Sequence, residues 1–173
     1  MTAFELQPTL TGERLELRPL LPEDFEALFA AASDPLIWEV HPEPSRYKRE
    51  VFEGFFAEAL KSKGALAVFD RSTGRMIGSS RYYDLDAEKS EIIIGYTFLS
   101  RSHWGGSFNR EMKALMLDHA FRFVKVVLFH VGENNIRSRM AMEKIGGVLS
   151  GSLEKLGADG RPRRNVIYRI EKP

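Results

Sequence analysis

The stretch from residue 90 to residue 131 constrains the fold more than any other. "SEIIIGYTFL" (90–99) reads as a strand. A segment follows in which Met112, Leu115, Met116, His119, Ala120 and Phe123 recur at helical spacing, and then "KVVLFHV" (125–131), which is almost continuously apolar. A strand apolar at successive positions is buried on both faces. Two strands joined through one helix predict a parallel pair with a right-handed crossover.

The remaining elements are built around that unit. "RLELRPL" (14–20) alternates as a half-buried strand. A helix is predicted from Pro22 to near Ser33, with Glu23 and Asp24 in its first turn. The proline-punctuated "DPLIWEVHPEPSRY" reads as a loop, and Val51, Phe55, Phe56, Ala59 and Leu60 outline a second helix closed by Gly64. "ALAVFD" (65–70), "RMIGSSRYYDL" (75–85) and the strand at 90–99 form an antiparallel meander. Asn135 caps a further helix that Gly146-Gly147 stops, and "GVLSGSLEKL" and "RRNVIYRIE" supply two last strands. The expected fold is α+β: one domain over 1–173 with a mostly antiparallel sheet of about six to seven strands and about four helices.

The 173 residues are 43% hydrophobic, enough for one domain with a sizeable core. Lys+Arg (25) and Asp+Glu (24) nearly cancel, so no general charge excess favours nucleic acid or an anionic membrane. No apolar run reaches the roughly 18 residues of a membrane helix, and the first twenty residues lack a signal-peptide pattern. Cysteine is absent, which excludes thiolate metal sites and a cysteine nucleophile and suits a cytoplasmic protein. No metal is expected. A homodimer is left open.

"HWGGSFNREMK" puts Gly105 and Gly106, the poorest helix formers, directly before a helix. Small residues there let an anion approach the unpartnered N–H groups of the first turn, although a plain turn explains the same pair. Asn135-x-x-Ser138 places an amide and a hydroxyl in the first turn of the next helix, as caps, as ligand contacts, or both. No Lys-Ser/Thr follows the glycines, so a P-loop is excluded.

The element order, with "GYTFLSRSHWGGSFNREMK" and "VGENNIRSRMAMEKIGG", resembles the GNAT superfamily of N-acetyltransferases, nearest its ribosomal-protein N-terminal acetyltransferase branch. The resemblance implies that acetyl-CoA is the co-substrate and that Trp104, Gly105, Gly106, Ser107, Phe108 and Asn109 wrap its pyrophosphate. It also implies that a bulge splays the central parallel pair, so that Phe98, Leu99 and Ser100 offer backbone groups to the pantetheine. Asn135 and Ser138 would meet the pantetheine amides or the thiolate. Ser102 rather than Arg101 stands at the family's Gln/Arg place, and "RMAMEKIGG" lacks the tyrosine that serves relatives as proton donor.

Acetyl transfer to an amine needs a free base, donors for the carbonyl oxygen and help for the departing thiolate. Glu91 shares a strand face with Ile93 and Gly95 and is the first base candidate; Ser138 and His103 are the other catalytic candidates. His119 and His130 read as core histidines. Trp38, His41, Tyr82, Tyr83 and Tyr96 would line the acceptor slot. The expected reaction is direct attack by a primary amine, a protein N-terminus or a small molecule, within a ternary complex. The alternative is an acyl-CoA-binding sensor or interaction module without catalysis.

Overall fold

The computed structural model describes residues 3–157 and 159–173. Eight strands form one sheet: β1 (Leu10–Thr11), β2 (Leu15–Pro19), β3 (Ala65–Asp70), β4 (Met76–Asp86), β5 (Glu91–Leu99), β6 (Val126–Gly132), β7 (Val148–Leu156) and β8 (Pro162–Glu171). Their order is β1-β2-β3-β4-β5-β6-β8-β7. Every pair is antiparallel except β5 with β6, the pair that the 90–131 pattern predicts to be parallel. The helices are α1 (Phe25–Ala32), α2 (Pro35–Trp38), α3 (Arg49–Ser62), α4 (Phe108–Ala120) and α5 (Ile136–Lys144).

The strand and helix counts exceed the sequence expectation by short elements, β1 and α2. α2 lies in the segment read as a loop, where Asp34 accepts from the Leu36 N–H and Pro35 occupies the first helical position. The stop of α3 is also displaced. Lys63, not Gly64, takes the left-handed cap conformation (φ 54°), while a Cβ on Gly64 would stand 2.1 Å from the Tyr82 carbonyl oxygen. Glycine is needed there for close packing rather than for the cap.

The sheet carries a core on each face. On one, Leu28, Trp38, Phe52 and Phe56 of α1–α3 pack with Ala67 and Phe98; on the other, Met112, Met116 and Ala120 of α4 pack with Tyr82, Ile92, Ile94 and Phe129. Burial on both faces explains the continuous apolar character of β6.

Candidate active site

The sheet is open at its centre. β5 and β6 pair from Glu91↔Val126 to Ile94↔Phe129 and no further, although β5 runs on to Leu99 and β6 to Gly132. The cause lies at Tyr96, which is left-handed (φ 53°) where the β4–β5 register slips between Ser79↔Phe98 and Arg81↔Gly95. This is a β-bulge, and the extra residue turns β5 away from its parallel neighbour. A cavity of about 770 Å³ runs through the gap between the two faces of the sheet.

One end of the cavity is the loop before α4. Gly105 has φ +71°, a conformation that side-chain-bearing residues rarely adopt. Among the described residues the N–H groups of Gly105, Gly106 and Ser107 have no backbone acceptor, and Gly105 and Gly106 set them beside the positive end of α4 at the cavity wall. Trp104, Gly105, Gly106 and Asn109 line the cavity; Ser107 and Phe108 lie behind them. The Ser107 hydroxyl accepts a hydrogen bond from Arg14, and the Phe108 ring packs edge-on against His103 at 4.7 Å. The Trp104 indole donates to the Leu99 carbonyl (2.9 Å) and is covered by the Arg137 guanidinium 3.4 Å from its ring centre. Arg110, Arg137 and Lys144 make this end basic.

The α5 terminus forms the second wall. Asn135 Oδ1 accepts from the Ser138 N–H (3.3 Å), so the predicted cap is present, and both side chains line the cavity. Phe98 and Leu99 line it too. Ser100 does not, because its N–H (2.8 Å) and its hydroxyl (3.2 Å) are both donated to the Ile77 carbonyl.

Further sequence expectations change. Glu91 is at the far end of β5, paired with Asp86 and Val126 and outside the cavity lining, five residues and about 16 Å along the strand from the bulge. Position along the strand, rather than strand membership, takes it out of the site. His103 does line the cavity, but its two ring nitrogens bond Asp70 and Ser102 at 2.9 Å each, so it ties the loop to β3. That bond, with those from Ser72, holds the Asp70 carboxyl below its usual range. Tyr82 turns into the α4 core and donates to the Met116 carbonyl at 2.6 Å, leaving Tyr83 and Tyr96 in the slot.

His119 is a core histidine, bonded to the Glu5 carbonyl at 2.7 Å among Phe4, Tyr82 and Phe123. His130 is not. It stands on β6 just past the last β5–β6 pair and lines the cavity, and its Nδ1 is buried without a partner among the described residues. Burial, helped by Lys155, holds its pKa down to about 4, so the ring is neutral near pH 7.

Lys113 was missed as well. It is 6% exposed, and its ammonium lies beneath the gap, 3.4 Å from the Thr97 hydroxyl and 5.1 Å from the centre of the Phe129 ring. Burial lowers its pKa to about 8. A signal was present in the sequence: Lys113 falls within the stripe Asn109, Met112, Met116, His119 and Ala120 that α4 turns inward. Among the described residues no group of three or more His, Asp or Glu side chains is arranged to hold a metal, and no helix is long and apolar enough to cross a membrane.

A sheet with a bulge-splayed parallel pair, open to a loop of unpartnered amides, defines the acyl-CoA-binding acetyltransferase class. Residues 14–148 match the model of the acetyltransferase (GNAT) domain, and the chain belongs to that family, whose enzymes use acetyl-CoA. It is 28% identical over 120 residues to an N-acetyltransferase of Bacillus licheniformis designated p20 and described as uncharacterized; the match spans 65% of this chain and 66% of that one. The fold is shared with a GCN5-related N-acetyltransferase from Brucella melitensis (TM-score 0.84, 22% identity, 95% of this chain and 79% of that one). It is shared too with Mycobacterium smegmatis RimJ in complex with CoA-disulfide (TM-score 0.78, 18% identity, 95% and 88%).

Proposed function

We propose that the protein is an acetyl-CoA-dependent N-acetyltransferase that passes the acetyl group directly to a primary amine. One observation carries the reading: a single cavity joins the Gly105-Gly106 loop, the gap between β5 and β6, and a slot lined by Tyr83, Tyr96, His41 and His130. In this arrangement the loop amides and the basic groups around them hold the pyrophosphate. Asn135 and Ser138, on the second wall of the cavity, hold the pantetheine end.

Acetyl-CoA supplies an activated thioester carbonyl. The neutral His130 accepts, directly or through water, the proton released as the amine nitrogen bonds that carbon and the carbon–sulfur bond breaks. The Lys113 ammonium gives the departing sulfur a charge partner and a proton, with the Ser138 hydroxyl beside it. Lys113 thus fills the place left by the missing tyrosine, the feature on which a binding-only reading rests. An α-amine, about a quarter free base near pH 7.4, suits so weak a base better than lysine does.

The test is thiol release from acetyl-CoA across a panel of amines and N-terminal peptides, with calorimetry of CoA binding alongside. Turnover of any amine supports the transferase. CoA binding with no turnover across the panel would favour the sensor module instead.

A further inference from the structure

The acceptor end of the cavity contains a charge with no visible counterpart. Arg46 is 9% exposed, and its guanidinium is packed against the rings of Phe55 (4.5 Å) and Trp38 (5.3 Å), where it lines the cavity. Among the described residues it makes no ion pair, and no hydrogen bond satisfies its fork of five donors. Behind it Arg81 lies flat on Tyr96 at 3.9 Å, with Nε and Nη2 buried and unpartnered, and repels it. Lys155 stands on the same wall, over Tyr83. The single carboxylate lining the cavity, Glu43, attracts Arg46 at a distance but has an interaction of its own.

The neighbouring donor completes the pattern. His41 Nδ1 accepts from the Glu43 N–H (2.9 Å), which fixes the proton of the neutral ring on Nε2. Burial first, and then repulsion from Arg46 and Arg137, keep that ring uncharged, with its pKa at about 3. A buried guanidinium without an anion is a costly arrangement that packing on aromatic faces offsets only in part. On a cavity wall the missing anion can arrive with the ligand. The cofactor's phosphates have cations of their own: Arg137 lies over Trp104, with Arg110 and Lys144 lining the same cavity, whereas Arg46 lies over Phe55, whose ring is 6.2 Å from that of Tyr96.

We propose that the acceptor is an amine that also carries a carboxylate, and that Arg46 binds that carboxylate with the His41 Nε2–H beside it. The inference rests on the transferase reading insofar as the amine must reach the gap while the acid stays at Arg46. It sets aside polyamines and aminoglycosides, whose charge Arg46, Arg81 and Lys155 would repel.

The test uses matched pairs in which the acid is remote from the amine and hardly changes its basicity: diglycine, triglycine and 4-aminobutyrate, each against its carboxamide, with spermidine as a cationic arm. Thiol release is measured for each, together with calorimetric binding to the CoA-loaded protein. At least one acid should exceed its amide by about 10- to 100-fold in kcat/KM and in affinity, the worth of a charge-assisted bond. Arg46→Gln should bring that ratio to about 1. Arg46→Lys, which keeps the charge and loses the planar fork, should fall between. CoA affinity and melting temperature identify any variant that fails to fold, and Arg46→Lys then carries the comparison. Equal use of acids and amides with good turnover, or a preference for spermidine, would overturn the proposal and leave the transferase standing. Selective acid binding lost in Arg46→Gln, with no turnover of any amine, would uphold the anion site and refute the transferase.

Discussion

At one end of the cavity the groups on offer are backbone amides of a single contiguous loop, at Gly105 and Gly106, directly before the helix that follows. At the other end they are side chains brought from residues 41, 46, 83, 96, 130 and 155, which share no local pattern. On the proposed reading the first end needs only small residues and a helix start to take a pyrophosphate. The second depends on which side chains the fold turns inward, so it is where one acceptor can be told from another. Cofactor use and acceptor choice therefore rest on different physical supports.

That contrast can be tested by substitution, and the largest effect is expected between the two ends, at Lys113. Lys113→Met should lower kcat by about 10²- to 10³-fold, as loss of a charge aimed at the departing group does elsewhere, while CoA affinity changes little. The same variant has a stability signature. In the folded chain Lys113 titrates near 8, against an ordinary 10.5, so between those pH values the unfolded chain binds more protons and stability rises with pH. Melts of wild type and Lys113→Met at pH 8 and pH 10 should show that rise in the wild type and a smaller one in the variant. Equal rises would mean that the ammonium is solvated.

At the cofactor end, Gly105→Glu should raise the CoA dissociation constant by roughly 30- to 100-fold, since it adds left-handed strain of about 1–2 kcal/mol and a like charge beside the pyrophosphate. Nothing lies within 4 Å of a Cβ built there, so Gly105→Ala adds the strain without a clash and should show the smaller part of the loss. If calorimetry finds both variants unchanged, the loop is not the anchor.

At the acceptor end, His130→Gln should lower the rate at pH 7 by about 10-fold or more, with the loss shrinking as rising pH deprotonates the amine without help. A pH–rate profile that stays parallel to wild type would leave bulk water as the proton acceptor. The smallest effect is expected at the site the sequence favoured: Glu91→Gln, remote from the cavity, should stay within about twofold of wild type in kcat/KM. A loss of 10-fold or more would return the base to Glu91.

Much of the framework was legible because its signals are local. The parallel pair follows from the apolar run of β6, the Asn135 cap from residue type and position, and the helix start at α4 from two glycines ahead of an amphipathic run. Each involves residues within a few positions of one another, where backbone geometry sets the outcome. What failed was depth along an element and the face of the sheet. Tyr82 and Tyr83 are adjacent and look alike in sequence, yet the pleat sends one to the α4 core and the other to the cavity. Glu91 and His130 could be assigned a strand but not a distance from the bulge, because that distance depends on where β5 stops pairing with β6.

The sequence by itself determined the order of the longer elements, the crossover and the glycine loop before α4, since periodicity and capping are short-range properties of the chain. The tertiary structure alone decided that Arg46 loses its solvent without gaining an anion and that Lys113 lies under the gap. It alone decided that His130 keeps an unpartnered nitrogen at the gap's mouth. Those are consequences of burial, and burial is a property of what the rest of the fold packs around a side chain.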